Sequence, residues 1–475
     1  MRILFLASEV APFSKTGGLG DVAKALPAAL ARAGHEVRVA TPLYASVRGD
    51  LQRTDHVLRL RFPFGEERAG LAVAHPGPGH EVWFIDHPGY YGRPGLYGTA
   101  WDEHRRFGFF SAAALQAAQR FAFAPEIVHL NDWQTGLAAV ALRGGFAGTT
   151  LGAARSVFTI HNLAYQGNFP KSVMGDLGLP WEWFQAGGLE FYDTVNFMKA
   201  GIAFADALTT VSPRYAQEIQ TEGYGCMLEG ILRARADRLT GILNGIDVEE
   251  WDPAQDTLLP ARYDAQDLSG KAVCKAELRR RFGLPHPEQV SPRPLFVSVS
   301  RLTHQKGVDL LLEAVPWLLS GADAEVAVLG SGDSHYERGL RALAGRFPGR
   351  FGLHLGFDPV LSHQVEAGGD FFLMPSEYEP CGLNQMYSLR YGTPPIVRAT
   401  GGLDDSVRDA ALPDGDGFKF VHFRADALAW AMGRALEVWR FPEALDAMRR
   451  RGMARDFSWR TSAARYLRLY QSLLG

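Results

Sequence analysis

The feature that most constrains this chain is a repeating rhythm. A short, mostly apolar run is followed by a loop dense in glycine and polar residues, and then by apolar residues at helical spacing. Residues 3–7 begin it, with Val22, Leu26, Ala29 and Leu30 on one helical face behind them; residues 36–40, 127–130, 156–160 and 207–211 repeat it. Apolar runs without alternation suit strands buried on both faces. Strands separated by helices need crossover connections, which build a mostly parallel sheet covered by helices on both sides. Residues 252–294 interrupt the rhythm with Pro, Asp and Gln and one basic piece, KAELRRRFGL, and it resumes at 295–300, 324–329, 352–355, 371–374 and 395–397. The pattern predicts an α/β chain of two doubly wound domains, 1–245 and 246–457, with a terminal helix in 458–475 available to pack back on the first. At about 150 residues per domain, a chain of 475 residues has room for this. Open α/β sheets bind ligands beyond the carboxyl ends of their strands, so two facing domains predict a deep cleft lined by post-strand loops.

Charge and cysteine content narrow the partner. A formal net charge of -3 gives no global field for nucleic acid or acidic lipid, so neither nucleic acid nor membrane is expected as a partner. Cys226, Cys274 and Cys381 are odd in number and scattered, which suits a reducing compartment rather than a disulfide framework. The apolar run at the N-terminus stops at Ser8-Glu9, too short for a signal peptide, and no run reaches the roughly 18 apolar residues of a membrane helix. The expected location is the cytoplasm.

The chemistry-bearing residues fall in post-strand loops. Lys15-Thr16-Gly17-Gly18-Leu19-Gly20-Asp21 joins the first strand to the first helix. Its glycines allow close backbone approach, a helix N-terminus offers N–H groups to an anion, and Lys15 adds a point charge. It matches neither the P-loop nor the dinucleotide pattern, and a flexible loop with a solvated lysine explains it equally well. Arg301 and Lys306, in SVSRLTHQKG, hold the same relative place in the second half, where two cations can grip a diphosphate without metal. The stretch Ser376 to Gln385 offers Glu379 for sugar hydroxyls and the backbone of Cys381, Gly382 and Leu383 for an anion at a helix start. Glu379 reads alternatively as a carboxylate stabilised by the helix dipole, and Cys381 as a small packed residue.

Three further polar loops are His129-Leu130-Asn131-Asp132-Trp133, Thr159-Ile160-His161-Asn162 and Leu243-Asn244-Gly245-Ile246-Asp247. A histidine at a strand end is more often structural, but three such loops on one cleft favour a site. Aromatics crowd the first half (Tyr90, Tyr91, Tyr97, Trp101, Tyr165, Trp181, Trp183, Phe184), and their faces suit sugar rings as well as cores. No metal site is expected: Asp414-Gly415-Asp416 sits in a Pro/Gly turn explained by Asx turns, Asp404-Asp405 reads as a helix N-cap, and no Cys or His cluster has zinc spacing.

In order, KTGGLGDV, HLNDW, FTIHNLAYQG, ILNGID, SRLTHQKG, EPCGLNQMYSLRYG and TGGLDDSV resemble the bacterial glycogen synthase and plant starch synthase family almost end to end. The resemblance implies a GT-B fold of two Rossmann-like domains. It implies a retaining transferase that moves glucose from ADP-glucose to the non-reducing end of an α-1,4-glucan, with no cofactor beyond the donor substrate. It places the acceptor mainly on the first domain and the donor mainly on the second. Lys15 and Gly18 would approach the donor diphosphate, and Arg301 and Lys306 would stabilise departing ADP. His161 would sit at the reacting glucose, Asn244 would bind a sugar hydroxyl, and Glu379 with Cys381, Gly382 and Leu383 would hold the glucose. Asp21, Asp132 and Asn162 join the substrate-binding set. Phe357 falls where the family stacks a tyrosine on adenine. Asn384 replaces a more usual threonine, and Tyr387 stands where related transferases carry a second glutamate. Rival readings are a GT-B transferase with another sugar acceptor, a glucan phosphorylase with lysine-bound pyridoxal phosphate, and a non-catalytic glucan-binding protein. Intact Lys15, Arg301, Lys306 and Glu379 argue against the last.

Overall fold

The computed structural model of the chain describes residues 1–285 and 292–475. They form two compact units, Met1–Gly245 with Trp459–Gly475, and Ile246–Ser458. The first contains β1 (Arg2–Leu6), β2 (Glu36–Pro42), β3 (Gln52–Phe62), β4 (Gly65–Gly77), β5 (His80–Asp86), β6 (Ile127–Asn131), β7 (Arg155–Ile160), β8 (Asn168–Pro170), β9 (Glu190–Phe191), β10 (Thr194–Asn196), β11 (Ala207–Thr210) and β12 (Leu239–Gly241). Among the described residues its main sheet runs β12-β11-β7-β6-β1-β2-β5-β4-β3. The strands from β12 to β5 are parallel, and β4 and β3 extend the edge as an antiparallel pair. Strands β8, β10 and β9 make a small antiparallel sheet.

The second unit contains β13 (Leu295–Leu302), β14 (Glu325–Gly332), β15 (Phe351–Leu355), β16 (Phe371–Met374), β17 (Pro395–Arg398) and β18 (Phe418–Phe420), in the all-parallel order β15-β14-β13-β16-β17-β18. Its core joins Phe296, Val326, Phe371 and Ile396 to the helices Val308–Gly321 and Ala425–Trp439. In both units the chain winds outward from a central strand in two directions. The reversal lies between β1 and β6 in the first and between β13 and β16 in the second. Those are the two places where post-strand loops splay apart and leave room for a ligand.

The helix Trp459–Leu474 belongs to the first unit. Trp459, Ala463, Tyr466 and Tyr470 join the core built on Ile3 and Phe5 of β1. Tyr470 Oη lies 2.6 Å from His129 Nδ1, and His129 Nε2 lies 2.6 Å from Thr159 Oγ1. His129 is therefore a buried structural strut, held neutral because burial drives its proton affinity down to about 3.

The interrupting segment, with Trp251 just before it, belongs to the second unit. Trp251 lies flat between His363 and Tyr387, with ring centroids 3.8 Å away on each side. Asp256 accepts from the Tyr391 hydroxyl at 2.6 Å and meets His363 Nδ1 at 2.8 Å. Residues 286–291 of the segment lie outside the described residues.

Candidate active site

In the second unit the site grows from the ends of β13 and β16. Arg301 is not in a loop, as the spacing suggested, but in the last residues of β13, paired with Ser331 of β14. The chain then turns through His304–Lys306 and leaves at Gly307, whose φ is +70°. A Cβ there would stand 2.1 Å from the Pro375 carbonyl oxygen, so only glycine lets this loop lie against the one after β16. Two bonds stitch the loops together: Glu377 N–H donates to the Gln305 carbonyl at 2.9 Å, and Gln305 Nε2 donates to the Tyr378 carbonyl at 3.3 Å. Lys306 Nζ then meets Glu379 Oε2 at 2.5 Å, and the Ser376 hydroxyl donates to the same oxygen at 3.1 Å. The side chains are 16% and 8% exposed, so this is a mostly desolvated ion pair. Arg301 remains exposed, with Nη2 3.5 Å from Gln305 Oε1.

Glu379 is not a helix cap. The helix that follows is Asn384–Arg390, with Leu383 at its N-cap, and the carboxylate is spent on Lys306 and Ser376. Its loop is pressed from behind by Gly401 and Gly402, where a Cβ would fall 2.0 Å from the Glu379 carbonyl oxygen and 1.9 Å from that of Cys381. Gly382 has φ +70°, and a Cβ there would strike the Gln385 side chain at 2.4 Å. Cys381 is buried beside it. Asn384 does not reach into the loop: its Nδ2 donates to the Val299 carbonyl of β13 at 2.8 Å. Phe357 follows β15 and is 89% exposed, an aromatic ring standing in solvent at a strand's carboxyl end.

In the first unit the loops after β1, β6 and β7 meet. Lys15 Nζ donates to Asp21 Oδ1 at 2.7 Å in an exposed ion pair, and Gly18 opens the helix Gly18–Arg32. The loop's N–H groups are not all open to an anion, as its glycines suggested. Thr16 N–H donates to Glu9 Oε2 at 2.5 Å, and the Thr16 hydroxyl reaches the same atom at 3.1 Å. Glu9 is buried, which raises the proton affinity of its carboxyl, and hydrogen bonds from Thr16 and Gly17 oppose that rise. The sequence reading missed Glu9; its signal was a lone carboxylate three residues beyond a buried strand.

Asp132 follows β6 with φ +56° and ψ 179°, a strained conformation that residues other than glycine rarely adopt. Its Oδ1 accepts the His161 N–H at 2.8 Å, tying the β6 loop to the β7 loop. Burial pushes the Asp132 carboxyl up to about 7, against backbone hydrogen bonds from His161 and Asn162. The Asn131 amide donates through Nδ2 to the Leu6 carbonyl at 2.8 Å, so its Oδ1 faces His161 Nε2 at 2.9 Å. His161 therefore carries its proton on Nε2 and keeps a lone pair on Nδ1, and burial lowers its proton affinity to about 3, so the ring is neutral at pH 7. Asn162 caps its own turn by accepting from Ala164 N–H at 3.1 Å. Asn244 is buried, and its Oδ1 has no hydrogen-bond partner among the described residues. Tyr97, previously one aromatic among many, lies 2.8 Å from the Ser8 hydroxyl beside Glu9.

The acidic pairs are accounted for otherwise than the sequence suggested. Asp416 is buried, with Oδ2 2.5 Å from Arg455 and Oδ1 accepting Arg408 N–H at 2.7 Å; Asp414 pairs with Arg408. Arginines, rather than Asx turns, hold both carboxylates. Asp404 and Asp405 lie inside the helix Gly401–Ser406, whose N-cap is Thr400, so neither is a cap; Asp404 meets Lys419 Nζ at 2.7 Å. Among the described residues, no three His, Cys, Asp or Glu side chains cluster as metal ligands, and no helix is long and apolar enough to cross a membrane.

Residues 2–234 match the family model for the starch synthase catalytic domain, and residues 285–453 match that for group 1 glycosyl transferases. Over 482 aligned residues the chain is 59% identical to a glycogen synthase of Myxococcus xanthus, covering 100% of both chains. It is 45% identical to a glycogen synthase of Koribacter versatilis, covering 99% of this chain and 98% of that one. Among solved structures, the catalytic domain of starch synthase IV from Arabidopsis thaliana, bound to ADP and acarbose, superposes with a TM-score of 0.91 at 36% identity, covering 99% and 98% of the two chains. A sucrose-phosphate synthase from Thermosynechococcus elongatus shares the fold at a TM-score of 0.62 and 18% identity, covering 100% and 99%.

Proposed function

The chain belongs to the starch and glycogen synthase family of GT-B glycosyltransferases, and we infer that it is the hexosyltransferase that lengthens an α-1,4-glucan from ADP-glucose. Glucose passes to the non-reducing end with retention of configuration, and ADP leaves. We propose ADP-glucose and glycogen or a malto-oligosaccharide as its ligands, no further cofactor, and the cytoplasm as its place of action.

The observation that carries the reading is the Lys306–Glu379 couple where β13 and β16 diverge. A transferase must stabilise negative charge as the diphosphate departs, and fixed cations in a water-poor site do this without reorganising at the moment of reaction. We assign that role to Lys306 and Arg301. Lys306 is poised for it, because it already sits in a mostly desolvated position against a carboxylate. Glu379, with the backbone of Cys381, Gly382 and Leu383, is assigned to the glucose hydroxyls, and Phe357 to the adenine face. In the first unit Lys15 and Gly18 are assigned to the diphosphate, with Asp21, Asp132 and Asn162 completing the substrate-binding set. His161 and Asn244 are assigned to the reacting sugar. A neutral His161 with its proton fixed on Nε2 offers Nδ1 as an acceptor for a hydroxyl and adds no charge. Glu379 is held in an ion pair rather than poised for attack, which supports same-face attack by the acceptor over a covalent intermediate. The test is incubation with glycogen and either ADP-glucose or UDP-glucose, measuring released nucleotide. ADP release that requires glycogen supports the reading; equal or faster turnover of UDP-glucose overturns the donor assignment.

A further inference from the structure

We propose that Glu9 is a positioning residue for donor binding: its buried carboxylate shapes the Lys15–Gly18 loop by gripping the backbone at Thr16 and Gly17. The inference rests on the assignment of that loop to the donor diphosphate.

Glu9 stands three residues beyond the strand Arg2–Leu6, in a stretch locked on both sides. The Ser8 carbonyl accepts the Tyr44 hydroxyl at 2.7 Å, and the Ser8 hydroxyl lies 2.8 Å from that of Tyr97. Val10 N–H donates to Ser14 Oγ at 3.2 Å, Ser14 N–H to the Val10 carbonyl at 2.9 Å, and Ala11 N–H to the Gly20 carbonyl at 3.0 Å. The backbone that carries Glu9 is thus fixed, and its side chain reaches seven residues forward to Thr16.

There it takes the amide and hydroxyl of Thr16 and is bonded by the Gly17 amide as well. Gly17 is the N-cap of the first helix and has no side chain to cap it. Glu9 supplies from a distance the acceptor that a capping residue would supply locally, while Gly17 keeps the backbone slender. An ionised carboxylate makes stronger bonds to N–H groups than a neutral acceptor. The next links place the cation. A Cβ on Gly20 would come within 3.2 Å of Lys15 Cγ, so the lysine stem lies closely against position 20 in the first helical turn. Asp21 then holds Lys15 Nζ at 2.7 Å. Glu9, Thr16–Gly17, Lys15 and Asp21 form one chain of contacts that sets where the ammonium group stands.

A buried carboxylate is costly, and a merely structural position would be filled more cheaply by an apolar or amide side chain. Here the carboxyl is spent on the amide and hydroxyl of Thr16 and on the Gly17 amide, which marks its function as the geometry of the loop.

The experiment is a double-mutant cycle on the full chain, reading kcat and KM for ADP-glucose with glycogen saturating, beside a melting curve for each protein. Glu9→Gln keeps the size and one acceptor but turns an NH2 donor toward an N–H donor. It should lower kcat/KM for ADP-glucose about tenfold or more in the wild-type background. In a Lys15→Ala background, where the cation is already gone, the same change should cost under threefold. Equal losses in both backgrounds, or a wild-type kcat/KM in Glu9→Gln, would overturn the proposal. Should Glu9→Gln fail to fold, Thr16→Ala decides. It removes a single hydroxyl contact from an exposed position and should lower kcat/KM in the wild-type background but not with Lys15→Ala; an equal effect in both would count against Glu9. A wild-type protein inactive with ADP-glucose would instead defeat the functional reading itself.

Discussion

Removing the charge from Lys306 and from Glu379, singly and together, separates what the pair does for folding from what it does for the reaction. At 2.5 Å and an effective dielectric of about 20, the gross attraction is about 6–7 kcal/mol, much of it offset by desolvation of both groups. Lys306→Met leaves the Glu379 carboxylate nearly buried with only the Ser376 hydroxyl to satisfy it, and stability should fall by about 3–5 kcal/mol. Glu379→Gln is milder, because its amide oxygen still accepts from Lys306 Nζ, and should cost about 1–2 kcal/mol. The double variant carries no buried charge at this point, so it should recover part of the loss, with a coupling of about 2–3 kcal/mol by urea unfolding. Turnover should behave oppositely. Each single variant should lose about a hundredfold or more in kcat, worth roughly 3 kcal/mol of transition-state stabilisation, and the double variant should recover none of it. A double variant that regains activity together with stability would show that the pair is only a structural clasp.

Three further outcomes follow from the geometry. Phe357→Ala should leave the melting temperature nearly unchanged, since the ring is 89% exposed, but raise KM for ADP-glucose about tenfold, the value of one stacked base; an unchanged KM would remove Phe357 from the donor site. Activity should survive EDTA, because Arg408 and Arg455 occupy the carboxylates of Asp414 and Asp416; loss of activity restored by Mg²⁺ would contradict this. Asp132 titrates near 7 in the fold against an ordinary aspartate value of 3.8, so the stability tied to its protonated form is full below about pH 4 and is lost as pH rises through about 7. Asp132→Asn does not titrate, so it should gain on the wild type by up to about 4 kcal/mol between pH 4 and pH 8, and a difference independent of pH would refute the assignment.

How legible the molecule was depends on where each residue sits. Strands β1 and β16 announce themselves because both faces are buried and the apolar run is unbroken, and β6, β7 and β13 because only a few polar residues interrupt theirs. The edge strand β3 does not: its exposed face carries Arg53, Arg59 and Arg61, and only Leu58 is fully buried, so no apolar run marks it. The loops bearing Lys15, Asp132, His161, Lys306 and Glu379 were legible because unusual residues gather just after strands. Their wiring was not. Nothing local in the sequence says that Lys306 would bond Glu379, 73 positions away, or that Glu9 would reach forward to Thr16. Trp251 is the clearest omission, since a tryptophan in a Pro- and Asp-rich stretch gives no sign that it will be clamped between His363 and Tyr387. That stack gives Tyr387 a packing role where related transferases carry a glutamate.

The most direct test of the central claim is to offer the purified protein a malto-oligosaccharide of defined length with ADP-glucose and to follow both products together. The expected product is an oligosaccharide longer by whole glucose units, each new linkage α-1,4 at the non-reducing end, with one ADP released per glucose added. Release of ADP without glucan growth, or a new linkage of β configuration, would contradict it.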